Sequence, residues 1–142
     1  MSVMTDNSAV GQSLFDAWEK REFDAMVENM VEDVSFNDAP RNQVITGKAA
    51  VRDWYASWAA ACPDGVAGGN VIAASGDTVA VEGVFIGTNT GPFGPFAATG
   101  RSVSMPWTNV LRFSSDGKIV SGAAYYDQLT ILVQLGHLQA PA

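Results

Sequence analysis

The fold is decided near the end of the chain, by Lys118-Ile-Val-Ser-Gly-Ala-Ala-Tyr-Tyr-Asp127 and the apolar segment Gln128-Leu-Thr-Ile-Leu-Val-Gln-Leu-Gly136 that follows it. The first stretch predicts a strand, and the second has the spacing of a short helix. Successive side chains of a strand point to opposite faces of its sheet. One predicted face carries Ile119, Ser121, Ala123, Tyr125 and Asp127. Its side chains are small or apolar except for Asp127 at the end.

Asp127 is therefore an acidic group at the end of a predicted apolar face. A carboxylate in apolar surroundings costs free energy unless it is paired, hydrogen-bonded or protonated. Such a group often has a raised pKa and can transfer protons near neutral pH. We predict that Asp127 is a buried general acid/base. It can also be the N-cap of the following helix, where Asp is favoured, and the two roles are compatible.

Two adjacent tyrosines are predicted to point to opposite sides of this strand. Tyr125 shares the face of Asp127, where its hydroxyl would pack or relay a proton. Tyr126 would point the other way, into a contact with a second copy of the chain.

The preceding strand carries a polar residue on an otherwise apolar face. Ser115-Asp116-Gly117 joins Arg101–Phe113 to Lys118–Asp127 as a hairpin. The apolar members of that face are Val103, Met105, Trp107, Leu111 and Phe113, and its polar member is Asn109. An inward amide can donate a hydrogen bond to a developing enolate oxygen. It can equally hold the Asp127 carboxyl, or satisfy a buried backbone group.

The rest of the chain predicts three helices and further strands. Ser8 would cap the first helix, Phe23 to Met30 would form the second, and Thr46 would cap the third. The predicted strands are Val34–Asp38, Asn70–Ala74 and Thr78–Thr88. This order indicates an α+β fold in a single domain, residues 1–142. We expect a cone-shaped α+β barrel, with the three N-terminal helices packed on a curved antiparallel or mixed sheet around a pocket.

Aromatic side chains are the candidates for the pocket wall. They are Trp54, Tyr55, Trp58, Trp18, Phe85 and Trp107. Such residues either fill a core or line a ligand site. The segment Asn89–Gly100 contains Gly-Pro pairs that exclude a regular element, so it is either a lid or a wide connection between strands.

Asp38 is a second candidate carboxylate, at the end of a predicted strand. It can simply open the turn at Pro40. If it faces the same cavity as Asp127, repulsion would separate the two pKa values. One carboxylate could then be a base while the other is a proton donor.

Composition excludes several function classes. The 142 residues carry a net charge of −7, with 8 basic and 15 acidic side chains. The basic residues form no cluster, so we expect no nucleic acid partner and no membrane partner. One cysteine, Cys62, and one histidine, His137, make neither a metal site nor a nucleophile–base pair. The single cysteine also favours a cytoplasmic location.

Short segments in a characteristic order carry a family resemblance. They are Thr46–Tyr55, Ser75–Val81, Gly87–Gly91, Ala98–Arg101, Leu111–Phe113, Asp116–Ile119, Tyr126–Gln128 and Gln134–Gly136. In order and spacing the chain resembles the SnoaL-like polyketide cyclases of the nuclear transport factor 2-like superfamily, which have a ketosteroid isomerase-like fold. The resemblance implies a homodimer without metal or organic cofactor.

The resemblance also implies roles for the two aspartates. The cyclase aspartate that matches Asp127 is the general acid/base of an aldol ring closure, and the isomerase base matches Asp38. The isomerase oxyanion tyrosine is Leu14 here, and the cyclase His-Trp pair is Gly122-Ala123. These differences suggest a roomier pocket near Asp127.

These expectations define a cofactor-independent enzyme acting on a hydrophobic, carbonyl-bearing small molecule. Asp127 would remove a proton next to a carbonyl, and Asn109, with Tyr125 or Asp38, would stabilise the enolate. Aldol cyclisation of a polyketide fits best, followed by ketosteroid-type isomerisation. Epoxide hydrolysis would need paired carboxylates and usually an inward arginine. The remaining alternative is a non-catalytic module of the same fold, for ligand binding or dimerisation.

Overall fold

The computed structural model describes residues 3–139, with side chains from residue 7 onward. In chain order the elements are α1 Val3–Glu19, α2 Phe23–Val27, β1 Met30–Asp38, β2 Gln43–Thr46, α3 Lys48–Ala61, β3 Asn70–Ser75, β4 Thr78–Thr88, β5 Ser102–Phe113, β6 Ile119–Tyr126 and α4 Gln128–Gln134. The predicted α+β class, with helices packed on a mixed sheet, is confirmed. No helix in the described part of the chain is long and apolar enough to span a membrane.

The six strands form one sheet in the order β2-β1-β6-β5-β4-β3. All neighbours are antiparallel except β1 and β6, which run parallel. Helix α1 packs on β3 and β4, and α3 packs on β1 and β2. The helices thus cover one face of the sheet and bury the largest side chains against it. Full burial of each such side chain stabilises the fold by about 1.5–3 kcal/mol.

Strand β5 follows the predicted alternation. Its buried side chains are Val103, Met105, Asn109, Leu111 and Phe113, with Trp107 partly buried on the same side. Strand β4 pairs with β5 without interruption, from Thr78 opposite Arg112 to Thr88 opposite Ser102. Because no residue is inserted along this pair, the sequence pattern predicts its faces correctly.

Strand β6 does not keep its alternation. Ile119 lies opposite Phe113, but Ser121 lies opposite Arg112, so Val120 is an extra residue in the ladder. A β-bulge of one residue moves every later side chain to the other face. Ala124 is consequently buried, Tyr126 is partly buried, and Tyr125 is exposed. The predicted inward face of β6 is therefore wrong beyond Ile119.

Gly122 faces the core rather than an open pocket. A Cβ atom at this position would lie 2.7 Å from Cζ of Phe36, which is too close for any side chain. The ring of Phe36 therefore occupies the space that Gly122-Ala123 leaves. The space expected at Gly122 is therefore filled, and the glycine adds no room to the cavity.

Several predicted boundaries are also corrected. Helix α1 begins at Val3, so Ser8 lies inside it, and Thr46 ends strand β2 instead of capping α3. The N-cap of α3 is Gly47, with φ of 99°, a left-handed conformation that glycine adopts without strain. Strand β2 escaped prediction because it has four mostly exposed residues and no alternating pattern.

The long connection before β5, Asn89–Gly100, is held by hydrogen bonds where it begins and ends. The Asn89 side chain donates to the carbonyls of Ala61 and Gly91 and accepts from the backbone and hydroxyl of Thr99. Gly91 packs against α3 so closely that a Cβ atom would meet the Ala60 carbonyl oxygen. Within the same segment, the side chain of Phe93 is buried. The base of this segment is thus packed like a fixed connection.

Candidate active site

A small cavity lies between the covered face of the sheet and the helices, with a volume of about 50 Å³. All six aromatic residues predicted for the pocket line it: Trp18, Trp54, Tyr55, Trp58, Phe85 and Trp107. One water molecule takes about 30 Å³, and pockets for drug-sized ligands measure roughly 300–1,000 Å³. The predicted small-molecule pocket is therefore nearly filled by aromatic rings. A substrate can enter only if side chains at the rim move.

Asn109 is the amide in the cavity wall, as predicted. It is 4% exposed, and its Oδ1 accepts a hydrogen bond of 2.7 Å from the Tyr55 hydroxyl. Burial raises the pKa of Tyr55 well above its ordinary value, so this hydroxyl stays protonated and donates. Among the described side chains, the Asn109 Nδ2 has no hydrogen-bond partner. The amide N–H groups are thus available to an acceptor that enters the cavity.

Asp38 is enclosed at the end of β1. It is 1% exposed. Its Oδ1 accepts a hydrogen bond of 2.7 Å from the Tyr126 hydroxyl, and its Oδ2 accepts one of 2.9 Å from Trp54 Nε1. Arg41 Nη1 lies 3.6 Å from Oδ2. The side chain makes no capping hydrogen bond to the following turn, Ala39–Arg41. Its two hydrogen-bond donors therefore come from α3 and β6, so opening the turn is not its only role.

Tyr126 connects Asp38 to the cavity. Its ring lines the cavity while its hydroxyl donates to Asp38. Burial, and then the hydrogen bond to Asp38, raise the pKa of Tyr126 well above its ordinary value, so the phenol stays protonated at neutral pH. The Asp38 carboxylate thus lies one hydroxyl group away from the cavity. The bulge in β6 creates this arrangement by turning Tyr126 inward.

Asp127 directly follows β6 and lies outside this network. It is exposed and caps α4. Its carboxylate accepts hydrogen bonds of 3.0 Å from Thr130 N and 2.6 Å from Thr130 Oγ1. These hydrogen bonds lower the pKa of Asp127 below its ordinary value. The prediction of a buried Asp127 with a raised pKa is wrong, whereas its alternative as an N-cap is confirmed. Tyr125, 50% exposed, is likewise outside the cavity.

The two aspartates therefore do not share a cavity, and the predicted pair of coupled carboxylates is not formed. Sequence reasoning missed two members of the site, Tyr126 and Arg41. For Tyr126 the missing information was the bulge at Val120. Arg41 lies in a short turn, where no periodicity indicates which way a side chain points.

The described residues contain no group of three or more His, Cys, Asp or Glu side chains arranged to hold a metal. Cys62 is buried, and burial, with the charge of Asp64, raises the pKa of its thiol to about 11. The thiol is therefore protonated at neutral pH and is a poor nucleophile.

The fold, a mixed six-stranded sheet with helices covering one face, has close counterparts among solved structures. A protein of Jannaschia sp. CCS1, provisionally described as a SnoaL-like polyketide cyclase, has a TM-score of 0.86 at 20% identity; the match covers 99% of this chain and 97% of that one. AclR of Streptomyces galilaeus, provisionally described as a hydroxylase, has a TM-score of 0.83 at 24% identity, covering 98% and 86%.

A third structure, from Catenulispora acidiphila DSM 44928, is a hypothetical protein with a ketosteroid isomerase-like fold in complex with trimethylamine. Its TM-score is 0.74 at 21% identity, with 93% of this chain and 97% of that chain covered. These likenesses show the fold.

The family follows from the sequence itself. The family model for SnoaL-like polyketide cyclases matches residues 9–135. The chain belongs to the SnoaL-like polyketide cyclase family. No curated protein matches the chain.

Proposed function

We propose that the protein is a cofactor-independent acid/base enzyme acting on an apolar, carbonyl-bearing small molecule, with Asp38 as the proton acceptor in place of Asp127. The observation that carries the proposal is the enclosed Asp38 carboxylate, hydrogen-bonded to a tyrosine that lines the aromatic cavity. Membership of a polyketide cyclase family, and the description given to the Jannaschia protein, favour an aldol-type ring closure as the reaction.

Proton transfer would begin at a carbon next to a carbonyl. The C–H bond breaks, the proton moves to the Tyr126 oxygen, and the phenolic proton of Tyr126 moves to Asp38 Oδ1. The resulting enolate oxygen accepts a hydrogen bond from Asn109 Nδ2. A positioned base contributes about 10²–10⁴ in rate, and one oxyanion donor about 10²–10³.

Ring closure would follow from the enolate. Its carbon bonds to a second carbonyl carbon of the same molecule, whose oxygen becomes an alkoxide. The proton held by Asp38 then returns through Tyr126 to that alkoxide, so the residues end in their starting state. Isomerisation uses the same first step and returns the proton to a different carbon, so the products separate the two reactions.

The first step can be tested without knowing the substrate. The probe is 2-tetralone, an apolar bicyclic ketone, whose acidic protons exchange for deuterium in D2O and are followed by proton NMR. We expect the wild-type protein to accelerate exchange above buffer, and Asp38→Asn to lower the protein-dependent rate by about 10²–10⁴. Asn109→Leu should lower it by about 10²–10³.

The matched control is Asp33→Asn, which removes an exposed carboxylate from the same strand, β1. This variant should exchange the probe at the wild-type rate. Equal rates for wild type and Asp38→Asn, with both proteins folded, would exclude Asp38 as the acceptor. Epoxide hydrolysis is not proposed, because Asp38 is the one buried carboxylate among the described residues and a pair is needed.

A second candidate is a non-catalytic module, favoured by the nearly filled cavity. The outer face of the sheet also exposes apolar side chains at Ile72, Val84, Ile86 and Tyr125, which could join two copies. This candidate predicts no exchange of 2-tetralone above buffer by the wild-type protein. It further predicts a dimer in analytical ultracentrifugation that Ile86→Lys dissociates.

A further inference from the structure

Arg41 is a cation among aromatic rings at the edge of the cavity. Its guanidinium carbon lies 5.1 Å from the ring centres of Trp58 and Phe93, and 5.8 Å from that of Tyr126. Its side chain is 27% exposed. Two of these three rings, those of Trp58 and Tyr126, also line the cavity. The charge of Arg41 is therefore next to the place where a ligand would bind.

The guanidinium makes an ion pair with Asp38 but no short hydrogen bond to it. Its approach to Asp38 is 3.6 Å, longer than the 2.7–3.2 Å of an N–H···O hydrogen bond. Within the described part of the chain it donates no hydrogen bond, although a guanidinium has five N–H donors. Arg21, by contrast, donates to three carbonyl oxygens, and Arg52 donates to two carboxylates. Arg41 thus has N–H donors that no described protein group accepts from, on a side chain that is partly open to solvent.

Trp58 supplies a second, independent unused donor. Its Nε1 is buried without an acceptor. The other three tryptophans all donate: Trp18 to the Tyr55 carbonyl at 3.0 Å, Trp54 to Asp38 at 2.9 Å and Trp107 to the Ala67 carbonyl at 3.0 Å. Buried polar groups are nearly always paired, so an exception next to a cavity calls for an acceptor.

We propose that Arg41 and Trp58 bind a carboxylate group of the substrate, whose apolar body lies in the aromatic cavity. The proposal rests on the proposed function, because it names the substrate class of the same site. The planar guanidinium matches a carboxylate with two parallel hydrogen bonds. A doubly charged phosphate fits less well, because Asp38 already provides one negative charge beside the single cation.

The test compares the binding of 2-naphthoate with that of 2-acetonaphthone, a neutral ketone with the same ring system, by isothermal titration calorimetry. A net gain from charge-assisted hydrogen bonds gives about tenfold to hundredfold tighter binding of the carboxylate by the wild-type protein. Arg41→Gln should bring the two affinities together by weakening naphthoate only. Arg41→Lys, which keeps the charge but not the planar fork, should retain part of the preference.

Two more variants sharpen the comparison. Trp58→Phe keeps an aromatic ring but removes the N–H, and should weaken naphthoate binding several-fold. Arg52→Gln removes an arginine whose partners are exposed carboxylates, and should leave the preference unchanged. Equal affinity of the wild type for both probes, no detectable binding of naphthoate, or a preference that survives Arg41→Gln would each overturn the proposal.

The outcome can be separated from that of the acid/base function. Exchange of 2-tetralone, which has no carboxylate, tests the chemistry, while the naphthoate preference tests only recognition. Exchange without a naphthoate preference refutes the carboxylate site and leaves the enzyme proposal standing. A preference without exchange supports the carboxylate site and refutes the acid/base function.

Discussion

Asp38 is the last residue of β1 and Asp127 directly follows β6, the parallel neighbour of β1, yet their surroundings are opposite. Asp38 is enclosed by side chains from α3, from β6 and from the turn after β1. Asp127 is in solvent, and its partner is Thr130, three residues along the chain. A carboxylate at a strand end can thus cap a helix or join a buried network. The choice depends on partners that are distant in the sequence, and no local pattern reveals them.

The largest difference in stability should separate the two aspartates directly. Asp38→Ala leaves the donors of Trp54 and Tyr126 and the charge of Arg41 without their acceptor. We expect a loss of about 3 kcal/mol in the free energy of unfolding, measured by urea denaturation. Asp127→Ala removes only an exposed cap and should cost clearly less. Equal losses would show that the Asp38 network contributes no more than the cap does.

A second prediction concerns the packing that accompanies the bulge. Gly122→Ala places a methyl group against the ring of Phe36, so we expect a loss of about 1–3 kcal/mol in the free energy of unfolding. In a Phe36→Leu background the same substitution should cost much less, because the ring that it meets is gone. An unchanged cost in that background would mean that Gly122 does not face Phe36.

The adjacent tyrosines provide a matched pair on opposite faces. Tyr126→Phe removes the hydrogen bond to Asp38 and should cost about 1–2 kcal/mol by urea denaturation. Tyr125→Phe alters an exposed side chain and should stay within about 0.5 kcal/mol of wild type. The reverse ranking would place Tyr125 inside, and would restore the regular alternation of β6.

The smallest expected effect is the pH dependence of the Asp127 cap. Its pKa is lowered in the folded protein, so the ionised form stabilises the fold above the ordinary pKa of about 4. This contribution is lost as the pH falls through the lowered folded-state value. Asp127→Asn should therefore be less stable than wild type at pH 7, and the difference should fade in acid. A difference independent of pH would argue against a charged cap.

The sequence predicts much of this structure where local periodicity is intact. The face of β5 and the inward position of Asn109 follow from strict alternation along an uninterrupted strand pair. The N-cap role of Asp127 is one of the two roles that the sequence allows, because Asp is favoured directly before a helix. The aromatic wall follows from the spacing of Trp54 and Trp58 on one helix face.

The bulge in β6 and the volume of the cavity depend on contacts between distant residues, which local sequence patterns do not predict. The bulge at Val120 leaves no local signature, and it accompanies the packing of Gly122 on Phe36 from a neighbouring strand. The inserted residue turns Tyr126 inward and Tyr125 outward, so Tyr126 donates to Asp38 while Asp127 stays at the surface. The volume of the cavity depends on how several rings pack together, which side-chain type alone does not determine.

We propose that the acid/base chemistry belongs to Asp38 and not to Asp127. The most direct measurement is the protein-dependent rate of deuterium exchange into 2-tetralone for Asp38→Asn and Asp127→Asn under identical conditions. We expect a rate near that of wild type for Asp127→Asn and a rate about 10²–10⁴ lower for Asp38→Asn. Loss of exchange in Asp127→Asn, with exchange preserved in Asp38→Asn, would contradict it.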